Sequence, residues 1–149
     1  MFLSLVISGS VCCLALGIGA PVGWAQARDS AFVAMEALGA HQFEDLPDGG
    51  RIQLLRDSAD TDGSRAVRQH LDHIAHAFAA GDFTIPGQVH SSKQVPGTAT
   101  MRARRKHISY RFLPLPGGGE VRIRTRDPKA LQAVHQYLAF QRREHRHQH

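Results

Sequence analysis

The chain has 149 residues and a formal net charge of +5, and no charged side chain precedes Arg28. Its two cysteines, Cys12 and Cys13, lie in the apolar run that opens the sequence. Past this run no cysteine is left for a disulfide or a thiolate metal site, so a metal there needs His, Met, carboxylate or water ligands. The remaining part, about 120 residues, suffices for one small domain with one core.

The first predicted element is the apolar segment of residues 1–27, which we interpret as a secretory signal peptide. Ala25-Gln26-Ala27 is a small-x-small cleavage site, and polar, turn-rich sequence follows it directly. Cleavage after Ala27 predicts a periplasmic or secreted protein. The alternative is an uncleaved segment that anchors the chain in a membrane, because a run of this length is long enough to span a bilayer.

A first β-β-α unit is predicted over about residues 40–81. Its strands are expected at Ala40–Leu46 and Arg51–Arg56, joined through Pro47-Asp48-Gly49-Gly50. A helix should then start near Thr61–Ser64 and end at Gly81, a typical C-terminal glycine. The apolar face of this helix consists of Val67, Leu71, Ile74 and Phe78.

The segment 84–101 contains two prolines and two glycines and predicts an extended connecting loop. Long loops in small domains are more often functional than filler. His90 and Met101 bracket this loop and form a plausible soft pair for copper, because thioether favours Cu(I) and imidazole suits both copper states. The alternative for Met101 is simple core filling.

A second β-β-α unit is predicted over about residues 106–145. Apolar and polar residues alternate on both sides of the turn at Pro114–Gly119, so a hairpin with one apolar and one basic face is expected. The apolar positions are Ile108, Tyr110, Phe112, Val121 and Ile123, and the basic ones are Arg111, Arg122, Arg124 and Arg126. Asp127-Pro128 then supplies an N-cap and a first-turn proline for a helix.

The two units resemble each other in sequence. Phe43 and Ile52 match Phe112 and Val121 at an offset of 69, and Leu71 matches Leu138 at an offset of 67. The glycine pairs Gly49-Gly50 and Gly118-Gly119, and the dipeptides Ala66-Val67 and Ala133-Val134, also match. We therefore predict an α+β fold in which a duplicated β-β-α unit forms an antiparallel four-stranded sheet with two helices on one face. The alternative is chance similarity between two ordinary hairpins.

Histidine enrichment supports the leading functional hypothesis, a secreted protein that sequesters or delivers a metal ion. The chain has ten histidines, all beyond the apolar run. Copper is the favoured ion, with zinc or nickel as alternatives. The candidate ligands are His73, His76, His90, Met101, His135 and His145. The alternative for each histidine is a solvated or hydrogen-bonded side chain, and the alternating terminal histidines would chelate metal only loosely.

Helical geometry gives these histidines different surroundings. His73 and His76 are three residues apart and lie mostly opposite the apolar face, so they could chelate one ion with the help of further ligands. Asp72 could orient the ring of His76. His135 and His145 lie at or on the apolar stripe of the last helix, where an imidazole needs a partner: a backbone carbonyl, Glu144 or a metal.

Arginine enrichment supports a second hypothesis, an anion-, polyanion- or protein-binding module that uses a basic sheet face. Its candidate residues are Arg104, Arg105, Arg111, Arg122 and Arg124. Residues 28–90 carry a balance of −5 and residues 91–149 a balance of +10, so the halves could pack on each other or pair two copies in a homodimer. The predicted export and the lack of aromatic residues on that face argue against nucleic acid. The alternative is a solvated face.

Haem and catalysis are the remaining alternatives. Non-covalent haem could use a His or His/Met axial pair, whereas covalent haem is excluded because no CxxCH sequence occurs. The chain has no P-loop, HExxH, nucleophile elbow or Rossmann glycine fingerprint. An enzyme is therefore the least favoured hypothesis, although a hydrolytic zinc site of three histidines stays open.

Several stretches resemble a group of small, uncharacterised secreted bacterial proteins. The resemblance lies in HLDHIAHAFAAGDF, Pro96-Gly97, ISYRF followed by LPGGG, and AVHQYLAFQRREH. It covers most of the sequence after the apolar run. It implies export and a single domain, and it carries over no activity and no ligand.

Overall fold

The computed structural model describes residues 40–89 and 94–146. Four strands, two long helices, two short helices and one 3₁₀ turn follow one another along these segments. They are β1 (Ala40–Leu46), β2 (Gly49–Leu55), α1 (Thr61–Ala80), α2 (Thr84–Val89), α3 (Thr98–Ala103), the 3₁₀ turn Arg105–His107, β3 (Ile108–Leu115), β4 (Gly118–Thr125) and α4 (Pro128–Arg146).

The four strands form one antiparallel sheet in the order β1-β2-β4-β3. Both long helices pack on the same face of this sheet, where the side chains of Ile52, Leu54, Val121 and Ile123 are at most 5% exposed. The predicted α+β fold with an antiparallel four-stranded sheet is therefore confirmed. The residues predicted for the apolar face of α1 are all buried as well.

A pseudo-twofold axis relates the two hairpins. Ile52 pairs with Val121, which is its own match at the offset of 69. The hairpin registers repeat with the same offset, since Phe43 pairs with Ile52 and Phe112 pairs with Val121. Residue pairs related by one offset in both hairpins are what a duplicated unit produces, and the axis passes through the Ile52–Val121 pair.

The two long helices are exchanged between the units. The helix of the first unit, α1, packs mainly on β3 and β4, whereas α4 of the second unit packs mainly on β1 and β2. Each helix thus covers the hairpin of the other unit, and the two apolar faces merge into one core. Its largest fully buried side chains include Phe78, Leu54, Leu71, Met101, Ile123 and Leu138.

Equivalent aspartates begin the two long helices. Asp60 Oδ1 accepts a hydrogen bond from the backbone N–H of Gly63 at 2.9 Å, and Asp127 Oδ1 accepts one from Ala130 N–H at 2.8 Å. These bonds, aided by nearby arginines, hold the pKa of each carboxyl below its usual range. At the other end of α1, Gly81 adopts φ +83°, which confirms the predicted glycine terminus.

The second strand begins earlier than predicted. Gly49 and Gly50 were expected in the turn, yet they pair with Arg124 and Ile123 of β4. A Cβ at Gly49 would lie 2.1 Å from the carbonyl oxygen of Ile123, so only glycine permits this close approach of the two central strands. The turn is therefore confined to Pro47-Asp48.

The segment 84–101 is not the extended loop that the sequence predicted, because its described parts contain α2 and α3. Pro86 is the third residue of α2, in the first turn, where proline is tolerated. Val95 and Met101 are 6% and 0% exposed, and their burial anchors α3 on the core. Within residues 40–89 and 94–146, no helix has the length and apolar content needed to cross a bilayer. The predicted signal peptide lies outside the described residues.

Candidate functional site

The two candidate metal ligands on α1 are exposed, as predicted. The ring of His76 hydrogen-bonds through Nδ1 to the backbone oxygen of Asp72 at 2.8 Å, and the Asp72 carboxylate lies 3.7 Å from the same nitrogen. His73 lies close to Asp82. Hydrogen bonds from Thr84 hold the pKa of Asp82 below its usual range, and the charges of Arg102 and His73 contribute less. The described hydrogen bond of His76 is thus local to α1.

On α4, His135 is a donor to the backbone. Its Nε2–H points at two carbonyl oxygens in the β1–β2 hairpin, at 3.1 Å from Leu46 and 2.9 Å from Gly49. Of the alternatives left open for this imidazole, the structure supports the backbone carbonyl. With Nε2 engaged in this way, only Nδ1 remains for any other ligand.

Two further candidate ligands, Met101 and His145, have other surroundings. Met101 is 0% exposed and packs in the core. His145 lies near the end of α4, where its ring centroid is 4.9 Å from that of His41 and 5.1 Å from that of Phe43. His90 lies outside the described residues. His41 was not among the predicted residues, and its alternation with Phe43 on β1 is the signal that places it on the helix side.

No group of three or more His, Cys, Asp or Glu side chains that could hold a metal ion occurs within residues 40–89 and 94–146. An apolar cleft lies between α1 and α4, with Phe78 and Tyr137 among its lining residues. Its volume of about 20 Å³ has room for roughly one water molecule and is far too small for haem. Metal and haem binding stay predictions, and the described contacts do not bring their candidate ligands together.

Two of the five predicted anion-binding arginines lie away from the open face of the sheet. Arg104 forms an ion pair with Asp127, the N-cap of α4. Arg105 lies beside Gly81 at the C-terminal end of α1, where a Cβ on that glycine would be 3.2 Å from the arginine Cδ. Both therefore contact helix ends, and only the other three lie on the sheet.

The open face of the sheet, opposite the two long helices, carries a row of arginines. Arg51 pairs with Arg122 across β2 and β4, and Arg122 pairs with Arg111 across β4 and β3. Directly paired residues project from the same face of a sheet, and neighbouring strands are about 4.8 Å apart. The Cα atoms of the three arginines thus follow one another across about 10 Å of the sheet. The guanidinium of Arg122 turns to Asp48 and to the backbone oxygens of Gly50 and Ile123. We call Arg51, Arg122 and Arg111 the arginine row.

The arginine row is only partly neutralised. Arg51 lies 2.5 Å from a carboxylate oxygen of Glu44 and 3.9 Å from one of Glu120. Arg111, by contrast, has no carboxylate within 4 Å in the described parts of the chain. Arg122 is paired with Asp48 and is only 14% exposed, so Arg111 is the member of the row whose positive charge is left for a bound anion.

A cleft of about 490 Å³ opens beside the row, at the end of the sheet where β3 begins and β4 ends. Its polar lining comprises Asp48, Lys106, His107, Ser109, Arg124, Thr125 and Arg126. Thr125 holds two walls in place: its N–H donates to the backbone oxygen of Asp48 at 2.9 Å, and its Oγ1 donates to that of His107 at 2.7 Å. We call this the basic cleft.

Asp48 is the acidic side chain of the basic cleft. Its carboxylate accepts a hydrogen bond from Arg122 and lies 3.4 Å from Nε of Arg124. The Arg122 bond, with the charges of both arginines, holds the pKa of Asp48 below its usual range, so the group is ionised at neutral pH. The carboxylate thus already occupies an anion position between two guanidinium groups.

Part of this site is predictable from the sequence. Arg111, Arg122 and Arg124 were predicted and share the open face, as the ladder registers require. Arg51 and Asp48 were missed, because the first unit has the less regular alternation. Arg51 could have been found because it is next to the buried Ile52 in a strand, so its side chain must project from the opposite face. Asp48 could have been found because it lies in the turn directly before Gly49.

Ion pairs within the chain compensate part of the charge asymmetry between the halves. Asp45 pairs with Arg142 at 2.7 Å, and Asp48 pairs with Arg122. The acidic and basic halves therefore pack on each other, while pairing of two copies stays a prediction. No protein-family model, no curated protein and no solved structure matches this chain.

Proposed function

We propose that the protein is an anion-binding module whose open sheet face binds an acidic polymer. The observation that carries the proposal is the arginine row, in which Arg51, Arg122 and Arg111 lie side by side on three neighbouring strands. Its spacing of about 4.8 Å suits a chain with repeated anionic groups better than it suits a single small anion.

The composition of the open face favours an anionic polysaccharide or a similar polymer over nucleic acid. The positions in phase with the arginine row on the four strands are Ala40, Gln42, Glu44, Leu46, Gly49, Gln53, Leu55, Ser109, Leu113, Leu115, Gly118, Glu120 and Arg124. None of these is aromatic, and binding of single-stranded nucleic acid relies on stacking of bases on aromatic side chains. The predicted export argues in the same direction.

Binding to heparin at several salt concentrations tests this proposal. The wild-type protein should bind, with an affinity that falls steeply as salt rises, because bound cations are released. Arg111→Gln should weaken binding and reduce the slope of log affinity against log salt by about one. Arg111 is the right position because no described carboxylate lies within 4 Å of it, so its loss breaks no ion pair.

The matched control is Arg65→Gln, which makes the same charge change on α1, in the helix layer. Arg65 is exposed and pairs only locally with Asp62 at 2.5 Å. This control should leave the salt slope unchanged. Equal weakening by both substitutions would mean that overall charge, rather than the arginine row, governs retention, and the proposal would then be abandoned.

Metal binding is a second candidate, and one observation favours it: the imidazoles of His41 and His145 lie with ring centroids 4.9 Å apart. Metal content of secreted, tag-free protein, measured by mass spectrometry beside a form cut after Arg146, tests it, because this cut keeps His145 and removes only the last two histidines. Copper or zinc at near-stoichiometric level in both forms would support a folded site among residues 41–145. Metal lost with the terminus would indicate loose chelation by the last histidines.

A further inference from the structure

The basic cleft has a charge excess that the ion pairs of the chain do not balance. Lys106, Arg124 and Arg126 line it with three positive charges, and Asp48, which is also paired with Arg122, contributes one negative charge. Neither Lys106 nor Arg126 has a described carboxylate within 4 Å. A local surplus of this kind attracts a group with more than one negative charge.

The donors of the cleft come from three directions. Lys106 and His107 belong to the 3₁₀ turn before β3, Arg124 projects from the open face of β4, and Arg126 follows the end of that strand. Convergent donors of this kind match the oxygens of a tetrahedral anion, whereas a planar carboxylate is matched by one guanidinium fork. The volume of about 490 Å³ leaves room for a tetrahedral group with part of the molecule that carries it.

From this arrangement we propose that the basic cleft binds a sulfate or phosphate group. The carboxylate of Asp48 competes with that group, and it must give up its ion pair with Arg124 and its hydrogen bond from Arg122 when the group binds. The inference rests on the proposed function, because the cleft lies beside the arginine row, two residues along β3 and β4, and would take one group of the same polymer. It adds the class of ligand and a residue that limits affinity.

Asp48 is half exposed, and its two arginine partners differ in exposure. Its side chain is 53% exposed and that of Arg124 is 63% exposed, so water can replace this ion pair at little cost. Arg122 is only 14% exposed, and its hydrogen bonds to the backbone oxygens of Gly50 and Ile123 would hold it in place when Asp48 leaves. The backbone of Asp48 is held separately by the hydrogen bond from Thr125. The carboxylate can therefore be displaced without unfolding the hairpin.

The test is a gain of affinity in Asp48→Asn. This isosteric change keeps the turn and removes the competing charge, so affinity for heparin should rise by about two- to fivefold, the factor that corresponds to an exposed ion pair. Asp62→Asn is the matched control with the same charge change. Asp62 lies in the first turn of α1, far from the basic cleft. The nearby Arg56 bonds to Gly117 in the β3–β4 turn, which is at the end of the sheet opposite to the cleft. The control should leave affinity unchanged.

Arg126→Gln gives the opposite, loss-of-binding prediction. It should weaken heparin binding in the wild-type background and cancel the gain in the Asp48→Asn background. Parallel titrations with heparin and with polyphosphate distinguish a sulfate ligand from a phosphate ligand. Asp48→Asn should raise the affinity more for the polymer that carries the preferred group. Thermal unfolding of each variant shows whether the fold is retained.

The outcomes separate this inference from the proposed function. If Asp48→Asn and Asp62→Asn behave alike while Arg111→Gln still weakens binding, the cleft is not the site and the arginine row stands. If Arg111→Gln has no effect either, both proposals fail. A gain specific to Asp48→Asn, together with a loss in Arg126→Gln, supports the cleft.

Discussion

Arg68 and His135 are equivalent residues that make the same contact with different chemistry. Arg68 on α1 donates to the backbone oxygens of Leu115 at 3.0 Å and Gly118 at 3.1 Å. His135, 67 positions later on α4, donates to the oxygens of Leu46 and Gly49, which precede those acceptors by 69 positions. Each helix thus fastens the hairpin turn of the other unit, and the pseudo-twofold axis relates the two contacts.

This equivalence predicts that His135 has a structural role that arginine can fill. His135→Ala leaves two carbonyl oxygens without their donor and should lower the free energy of unfolding by about 1–3 kcal/mol. His135→Arg should retain stability, because arginine already makes the matching contact at position 68. Urea unfolding of both variants measures this. A large loss of stability in His135→Arg would show that the imidazole itself is required.

The central strand contact predicts that its glycines cannot be replaced. A Cβ at Gly118 would lie 2.1 Å from the oxygen of Leu54, and a Cβ at Gly49 would lie 2.1 Å from the equivalent oxygen of Ile123. Because both obstacles are backbone atoms, Gly118→Ala and Gly49→Ala should each lower the free energy of unfolding by about 2–4 kcal/mol.

Ser109→Ala, at an exposed position on the neighbouring strand, is the control for these glycines and should change stability by less than about 0.5 kcal/mol. Denaturant midpoints of the three variants compare them directly. Glycine variants as stable as the control would contradict the close approach of β2 and β4.

The hairpins were predictable from sequence because their signals are local. Alternating apolar residues and paired glycines define each strand, and the match of Ile52 with Val121 anticipates the ladder that joins the units. The exchange of helices was not predictable. Periodicity identifies the buried face of α1, but the same face could cover either hairpin, and the choice depends on packing of the whole core.

The candidate site was harder to predict because it depends on distances between units. The spacing of His73 and His76 gives their direction from the helix but not the position of further ligands. The equivalence of Arg68 and His135 is hidden in the sequence, because the two side chains differ while their acceptors match. The arginine row emerges only when the registers of three strands are known.

The N-cap aspartates predict a loss of stability in acid. The pKa values of Asp60 and Asp127 are lowered in the folded protein, so their contribution is present above the unfolded value of about 3.9 and is lost as the pH falls through the folded values. The free energy of unfolding should therefore decrease as the pH falls from about 4 to 2, and these groups should cause no decrease between pH 7 and 5.

Asp127→Asn tests this pH dependence, because asparagine is a good N-cap without a charge. Its free energy of unfolding, from urea titrations at several pH values, should fall less steeply in acid than that of the wild type. Asp62→Asn, at an exposed first-turn position, should retain the wild-type slope. An identical slope in Asp127→Asn would show that the Asp127 carboxyl has no part in acid unfolding.

The burial of Met101 separates core filling from copper binding. The Met101 side chain is 0% exposed and is among the largest fully buried side chains of the core. Met101→Ala should therefore lower the free energy of unfolding by about 2–5 kcal/mol, whereas Met101→Leu, which conserves volume, should lower it by less than about 1.5 kcal/mol. Because leucine has no thioether, any Cu(I) binding by Met101 would be lost in this variant. We expect Cu(I) uptake in Met101→Leu to equal that of the wild type, and a stable variant with reduced uptake would instead make Met101 a ligand.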